Sequence, residues 1–184
     1  MNVSTQPFAG ESAVERDDGN FERVFRQHYA SIARLLARIV HDRARAEELA
    51  ADAFWRFLRR APSSDHNPKG WLYRTAVRLG LDELRRLRRR AKYEPLLAIL
   101  GGYGRAPSPE HLHAASQEQT QVRGVLAKLK HRDAELLVLR SEGMSYQEIA
   151  GILDLNEASM GTLLRRAQET FRKEYVKRYG PRNF

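Results

Sequence analysis

The 184-residue sequence contains no cysteine. Disulfides, thiolate zinc sites and cysteine nucleophiles are therefore excluded. No apolar run approaches the roughly 20 residues that a bilayer-spanning helix needs. Acidic residues are in deficit, with 32 Lys and Arg against 23 Asp and Glu and a formal charge of +9. That surplus points to a polyanionic partner, either nucleic acid or an acidic membrane surface. Strand-period alternation, internal repeats and long low-complexity tracts are all missing, so the expected fold is all-α. Among the first twenty residues Glu11, Glu15, Asp17 and Asp18 outnumber the single Arg16. That is neither the basic start nor the apolar core of an export signal, and a cytoplasmic location is expected.

Metal or nucleotide chemistry finds little support. The six histidines are scattered, and His111 and His113 lie in a Pro/Gly-containing stretch without a carboxylate-rich ligand pattern. The glycines from Gly101 to Gly104 do not follow a strand, so they are not a nucleotide-binding loop. No cofactor, no metal and no catalytic residue are expected.

What is present is helical periodicity. Residues 1–19 read as a disordered polar tail. Phe21, Val24, Phe25, Ile32, Leu35, Leu36, Ile39 and Val40 then recur at three- and four-residue steps. A second stripe, Leu49, Ala53, Phe54, Phe57 and Leu58, predicts a helix from about Arg45 to Arg60. Asn67 followed by Pro68 predicts a capped helix start with proline at its first position. That helix is expected to run to the early nineties with Trp71, Leu72, Ala76, Leu79, Leu84 and Leu87 facing in. Pro95, Gly101, Gly102, Gly104, Pro107 and Pro109 mark a linker. The expected organisation is thus two small helical domains, 20–93 and 118–184, joined through 94–117.

Two segments carry chemistry. Gly143 suits a helix C-terminus in the left-handed conformation. Ser145 and Glu148 have capping-box spacing and open a short helix. A turn over Asp154 to Asn156 leads to a longer helix from about Glu157. Short helix, tight turn and longer helix is the helix-turn-helix pattern of DNA-binding proteins. Its second helix buries Met160, Leu164, Ala167 and Phe171, leaving Ser159, Thr162, Arg165 and Arg166 outward. The basic tail adds Arg172, Lys173, Lys177, Arg178 and Arg182, and phosphate contacts dominate DNA affinity. The other segment, Trp71 to Tyr93, carries eight cations against Asp82 and Glu83. Arginine forks suit phosphate oxygens, and Trp71 and Tyr73 offer faces for unstacked bases. A solvated charged face and a core tryptophan are the blander explanation of the same residues.

Together the halves resemble extracytoplasmic-function sigma factors. Phe21 to Tyr29 (Phe-Glu-Arg-Val-Phe-Arg-Gln-His-Tyr), Arg45 to Phe54 (Arg-Ala-Glu-Glu-Leu-Ala-Ala-Asp-Ala-Phe), Gly70 to Ala76 and Leu81 to Arg86 are similar to the family's region 2. Leu129 to Arg140, Glu142 to Ala150 and Leu163 to Ala167 are similar to its region 4. The resemblance implies an initiation subunit without catalysis of its own. Its partners would be the bacterial RNA polymerase core (the β′ coiled coil and the β flap) and promoter DNA, with an anti-sigma factor as a further candidate. It assigns core binding to Glu47, Glu48, Asp52 and Phe54. It assigns the −10 element to Asp65, His66 and Asn67 with Trp71, Tyr73, Arg74, Arg78, Arg85 and Arg86. The −35 element falls to Ser159, Thr162, Leu163, Arg165 and Arg166. The chain departs from the family at Ala51, usually glutamine, and at Arg78, usually asparagine. It also has Gly161-Thr162-Leu163 where a Lys-Ser-Arg run is common.

Two other readings remain open at this point. A dimeric helix-turn-helix regulator acting without polymerase would use the second half and leave the basic helix of the first unexplained. A peripheral membrane protein would need a large exposed apolar face beside its cations, which no helical segment presents.

Overall fold

A computed structural model describes residues 11–60, 67–99 and 117–181. The elements are α1 (Glu11–Val40), α2 (Arg43–Arg60), α3 (Pro68–Ile99), α4 (Gln117–Leu126), α5 (His131–Ser141), α6 (Tyr146–Leu153) and α7 (Met160–Tyr179), with a 3₁₀ turn at Glu157–Ser159 before α7. No strand occurs among the described residues, and the all-α, two-part reading holds. Helix α1 starts at Glu11, inside the stretch expected to be a tail. Helix α3 continues to Ile99, past the expected linker start. Ala13, Val14 and Glu15, like Leu96, Leu97 and Ala98, have no glycine among them and several good helix formers. Asp65 and His66, with the rest of 61–66, and the bulk of the linker lie outside the described residues.

The first three helices share one core. Ile32, Leu35, Leu36, Phe54, Leu72, Val77 and Leu81 are almost fully buried. Phe54 meets the rings of Phe25 at 5.0 Å and Tyr29 at 5.8 Å, which ties α2 to the start of α1. Gly80 lets α1 and α3 approach closely, since a Cβ there would lie 3.0 Å from the Ile39 side chain. The α1–α2 turn places His41 at φ 55, and Asp42 caps α2 by accepting from the Arg45 amide at 3.0 Å. Asn67 caps α3 as expected, accepting from the Gly70 amide at 2.8 Å. Three apolar residues read as core are more exposed than that: Phe25, Leu58 and Leu87 reach solvent.

The last four helices form the helix-turn-helix unit. Gly143 has φ 80 after α5. Ser145 and Glu148 make the reciprocal capping box that opens α6. Asp154 ends α6 in the left-handed conformation, and Asn156 caps the 3₁₀ turn through the Ala158 amide at 2.9 Å. Met160, Leu164, Ala167 and Tyr175 are the buried line of α7. Tyr175 donates to Gln121 at 2.6 Å, joining α7 to α4. The two units pack on each other through α3, which meets α1 and α2 on one side and α4, α5 and α6 on the other.

Candidate nucleic-acid and polymerase interfaces

Three surfaces follow from this frame. On α2, Glu47, Glu48 and Asp52 reach solvent, each paired with an arginine of the same helix. Arg43 meets Glu47 at 3.2 Å, Arg45 meets Glu48 at 2.6 Å, and Arg56 holds both oxygens of Asp52 at 3.0 and 2.9 Å. Phe54 is not on this surface. It is 2% exposed, because its position on the helix points it into the Phe21, Phe25 and Tyr29 rings. The outward aromatic is its neighbour Trp55, 56% exposed with the Arg59 guanidinium 5.5 Å from its ring. The sequence reading missed Trp55. Its signal was available: it falls off the Leu49–Ala53–Phe57 stripe by helical spacing, and a large aromatic off-stripe has no core to fill.

On α3 the arginines are less free than the sequence suggested. Trp71 is half-buried and packs on Phe57 at 5.6 Å between ring centres, which favours the core explanation of that residue. Tyr73 is half-buried with Lys69 near its ring. Arg86 is held bidentately by Glu83 at 2.9 and 2.6 Å. Glu83 is 4% exposed and also accepts from Arg45 at 3.1 Å. The Arg86 guanidinium, together with that of Arg45, holds the Glu83 carboxyl below the usual carboxylate range in spite of burial. Arg74 donates to the Ile152 carbonyl, Arg78 to Glu135 at 2.8 Å, and Arg85 to the Leu129 carbonyl at 3.2 Å. Arg88 and Arg89 are exposed.

Ser159 of the 3₁₀ turn and Thr162, Arg165 and Arg166 of α7 are exposed, as the helical spacing predicts. Leu163 is half-buried and packs against the core, so it is not a free reader of DNA. Arg165 leans on Glu169 at 3.4 Å, an exposed pair that a phosphate can displace at small cost. Among the described residues there is no group of His, Asp and Glu that could hold a metal ion, and no helix long and apolar enough to cross a membrane.

An all-helical chain with a basic helix in its first unit and a helix-turn-helix in its second has the architecture of a promoter-recognising initiation factor. Residues 24–90 match the family model of sigma-70 region 2, and residues 119–169 match that of sigma-70 region 4. The chain is 29% identical over 165 residues to the RNA polymerase sigma factor YlaC of Bacillus subtilis, covering 86% of this chain and 93% of that protein. It is 27% identical over 164 residues to the ECF RNA polymerase sigma factor SigE of Mycolicibacterium smegmatis, covering 86% of this chain and 62% of that longer relative. Among solved structures it is similar to the sigma factor RpoE of Bartonella quintana in complex with the anti-sigma factor NepR. That likeness has a TM-score of 0.46 and 15% identity, over 84% of this chain and 96% of that one. The chain belongs to the sigma-70 family, as a sigma factor of the extracytoplasmic-function type.

Proposed function

We propose that this chain binds the bacterial RNA polymerase core through the exposed face of α2 and directs it to promoters. The β′ coiled coil is the partner expected for α2, and the β flap the one expected for the second unit. The −10 element falls to α3 with the segment before it, and the −35 element to the start of α7. The observation that carries this reading is the matched order of two DNA-facing devices on one chain: the cation-rich α3 in the region 2 match, then the exposed Ser159, Thr162, Arg165 and Arg166 of the recognition helix in the region 4 match. Phosphate attraction supplies affinity and the recognition helix supplies sequence readout. The protein works in the cytoplasm as a non-catalytic subunit, and an anti-sigma factor is its candidate regulator.

In vitro transcription tests the reading. Purified chain and core polymerase are incubated with a library of genomic fragments, and the start sites are mapped. Specific start sites that need both components support it. Promoter binding by the chain alone, with no change in start sites when core is added, would favour the dimeric regulator instead.

A further inference from the structure

Four cations meet around an open cavity of about 440 Å³ that none of the surfaces above includes. Arg88 and Lys92 stand on α3, Lys128 on the turn after α4, and Arg178 near the end of α7. No Asp or Glu among the described residues lines this cavity. Lys128 has the Glu174 carboxylate at 3.6 Å, while Arg88, Lys92 and Arg178 form no ion pair with a described residue. Arg88 and Lys92 are also four residues apart on one helix, a like-charge spacing that weakens it. Gly124, inside α4 and one turn before Lys128, is a second unfavourable choice for a helix. It makes room: a Cβ there would lie 3.1 Å from the Tyr179 hydroxyl and 3.8 Å from an Arg178 guanidinium nitrogen. The frame that carries these groups is firm, because one apolar cluster runs from α1, α2 and α3 into α5, α6 and α7.

We propose that this cavity binds a free nucleoside polyphosphate. Cations gathered without carboxylates repel one another, and a compact polyanion relieves that repulsion. The volume exceeds what a single phosphate needs and falls in the range of small-molecule sites, about 300–1,000 Å³. A di- or triphosphate chain meets cations from three elements at once, with the guanidinium forks of Arg88 and Arg178 suited to its oxygens. Two exposed rings stand beside the same cations. Lys92 lies 5.6 Å from the centre of the Tyr93 ring, and Arg178 lies 5.5 Å from that of Tyr179. Such rings offer faces to a nucleobase next to its phosphates. Nucleic-acid backbone carries the same phosphate chemistry in another shape. A duplex spreads its charge along a rod, about one per 1.7 Å of axis, and is tracked by a stripe of cations. Here the cations converge on one concavity. None of the four is among the residues assigned to −10 or −35 DNA, so the site does not rest on the promoter role.

The full chain is titrated calorimetrically with inorganic tripolyphosphate, with ATP, and with a DNA duplex of unrelated sequence, all at one ionic strength. Two double variants each remove one wall of the cavity: Arg88→Gln with Lys92→Gln, and Lys128→Gln with Arg178→Gln. A third, Arg26→Gln with Arg34→Gln on α1, removes the same net charge outside it. Melting curves check that each variant is folded. Tripolyphosphate and ATP should bind at one site, with ATP the tighter of the two. Either wall variant should weaken both by about ten- to a hundredfold, since a hydrogen bond to a charged group is worth about a factor of ten or more. The α1 variant should bind both as the parent does. Duplex affinity should fall by a similar small factor in all three. An equal loss of ATP in the α1 variant would reduce the effect to net charge and overturn the site. Tripolyphosphate and ATP that never saturate, with duplex binding lost in the wall variants alone, would give these cations to nucleic-acid backbone instead.

Discussion

Replacing Glu83 by glutamine removes one charge from the point where α2 and α3 are joined. Glu83 receives Arg86 at 2.9 and 2.6 Å and Arg45 at 3.1 Å, and only 4% of it is exposed. Removing one partner of a buried pair costs about 3–5 kcal/mol. Both arginines keep access to solvent, with 36% and 51% of their side chains exposed, so water recovers part of that loss. Arg45 also has a buried Nε without a hydrogen-bond partner, and it tolerates a weaker anchor poorly. We expect a net loss of about 2 kcal/mol, or roughly 4–8 °C in Tm for a chain of this size. The effect depends on pH in a definite direction. Arg86 and Arg45 lower the Glu83 carboxyl below its unfolded value of 4.5. Its contribution is complete above that value and disappears as pH falls through the lower folded one. Urea melts of wild type and Glu83→Gln at neutral pH and near pH 3 measure this directly. The gap between them should narrow in acid. Equal midpoints at neutral pH, or a gap that widens in acid, would refute the account of Glu83 as a charged brace.

Four further outcomes are expected. Reversing Glu48 and Asp52 to lysine should weaken retention on immobilised core polymerase while leaving the melting curve nearly unchanged, because exposed ion pairs contribute little to stability; undiminished retention would remove this face from the interface. Neutralising Arg85 and Arg86 should reduce the salt slope of promoter binding by holoenzyme by roughly one unit per lost phosphate contact, read from titrations at several salt concentrations. Arg165→Ala should cost about 1–3 kcal/mol at one base position of the −35 element if the side chain reads a base, and a uniform loss across single-base variants would assign it to phosphate. Burial and the nearby Arg123 lower the pKa of His41, so the unfolded chain takes up its proton first and stability should fall as pH drops from about 7 towards 5.5. His41→Gln should flatten that limb in thermal melts, leaving the share due to His28, which burial and Lys69 also lower.

Much of this protein was legible from residue order because its signals are local. The capping box at Ser145 and Glu148, the positive φ of Gly143, the Asn67 cap and the exposed positions of α7 each depend on neighbours within a turn of helix. Helical spacing alone turns Met160, Leu164 and Ala167 inward and Arg165 and Arg166 outward. The same reasoning failed where one side of a helix has to choose between a core and a partner. Phe54 and Trp55 are adjacent and both aromatic. The first is buried because α1 brings Phe21, Phe25 and Tyr29 against it, and the second is exposed on the solvent side of α2 with Arg59 of its own helix near its ring. Leu163 was pulled toward the core by the same kind of long-range packing.

The charges of α3 divide in the same way. Composition alone shows a basic helix, and a basic helix predicts an anionic partner. It cannot show which anion each arginine already holds, because Coulomb partners are chosen by distance in space. Glu83 takes Arg86 from three residues away on the same helix, a pairing that helical geometry permits, and Arg45 from a neighbouring one. Glu135 and the Ile152 carbonyl take Arg78 and Arg74 from 57 and 78 residues further along the chain. The sequence by itself determined the helices, their caps, the helix-turn-helix and the surplus of positive charge, since these follow from periodicity and counting. Only the tertiary structure decided that the second unit lies against Arg74, Arg78 and Arg85 of the first, since that contact depends on how two separately legible surfaces meet.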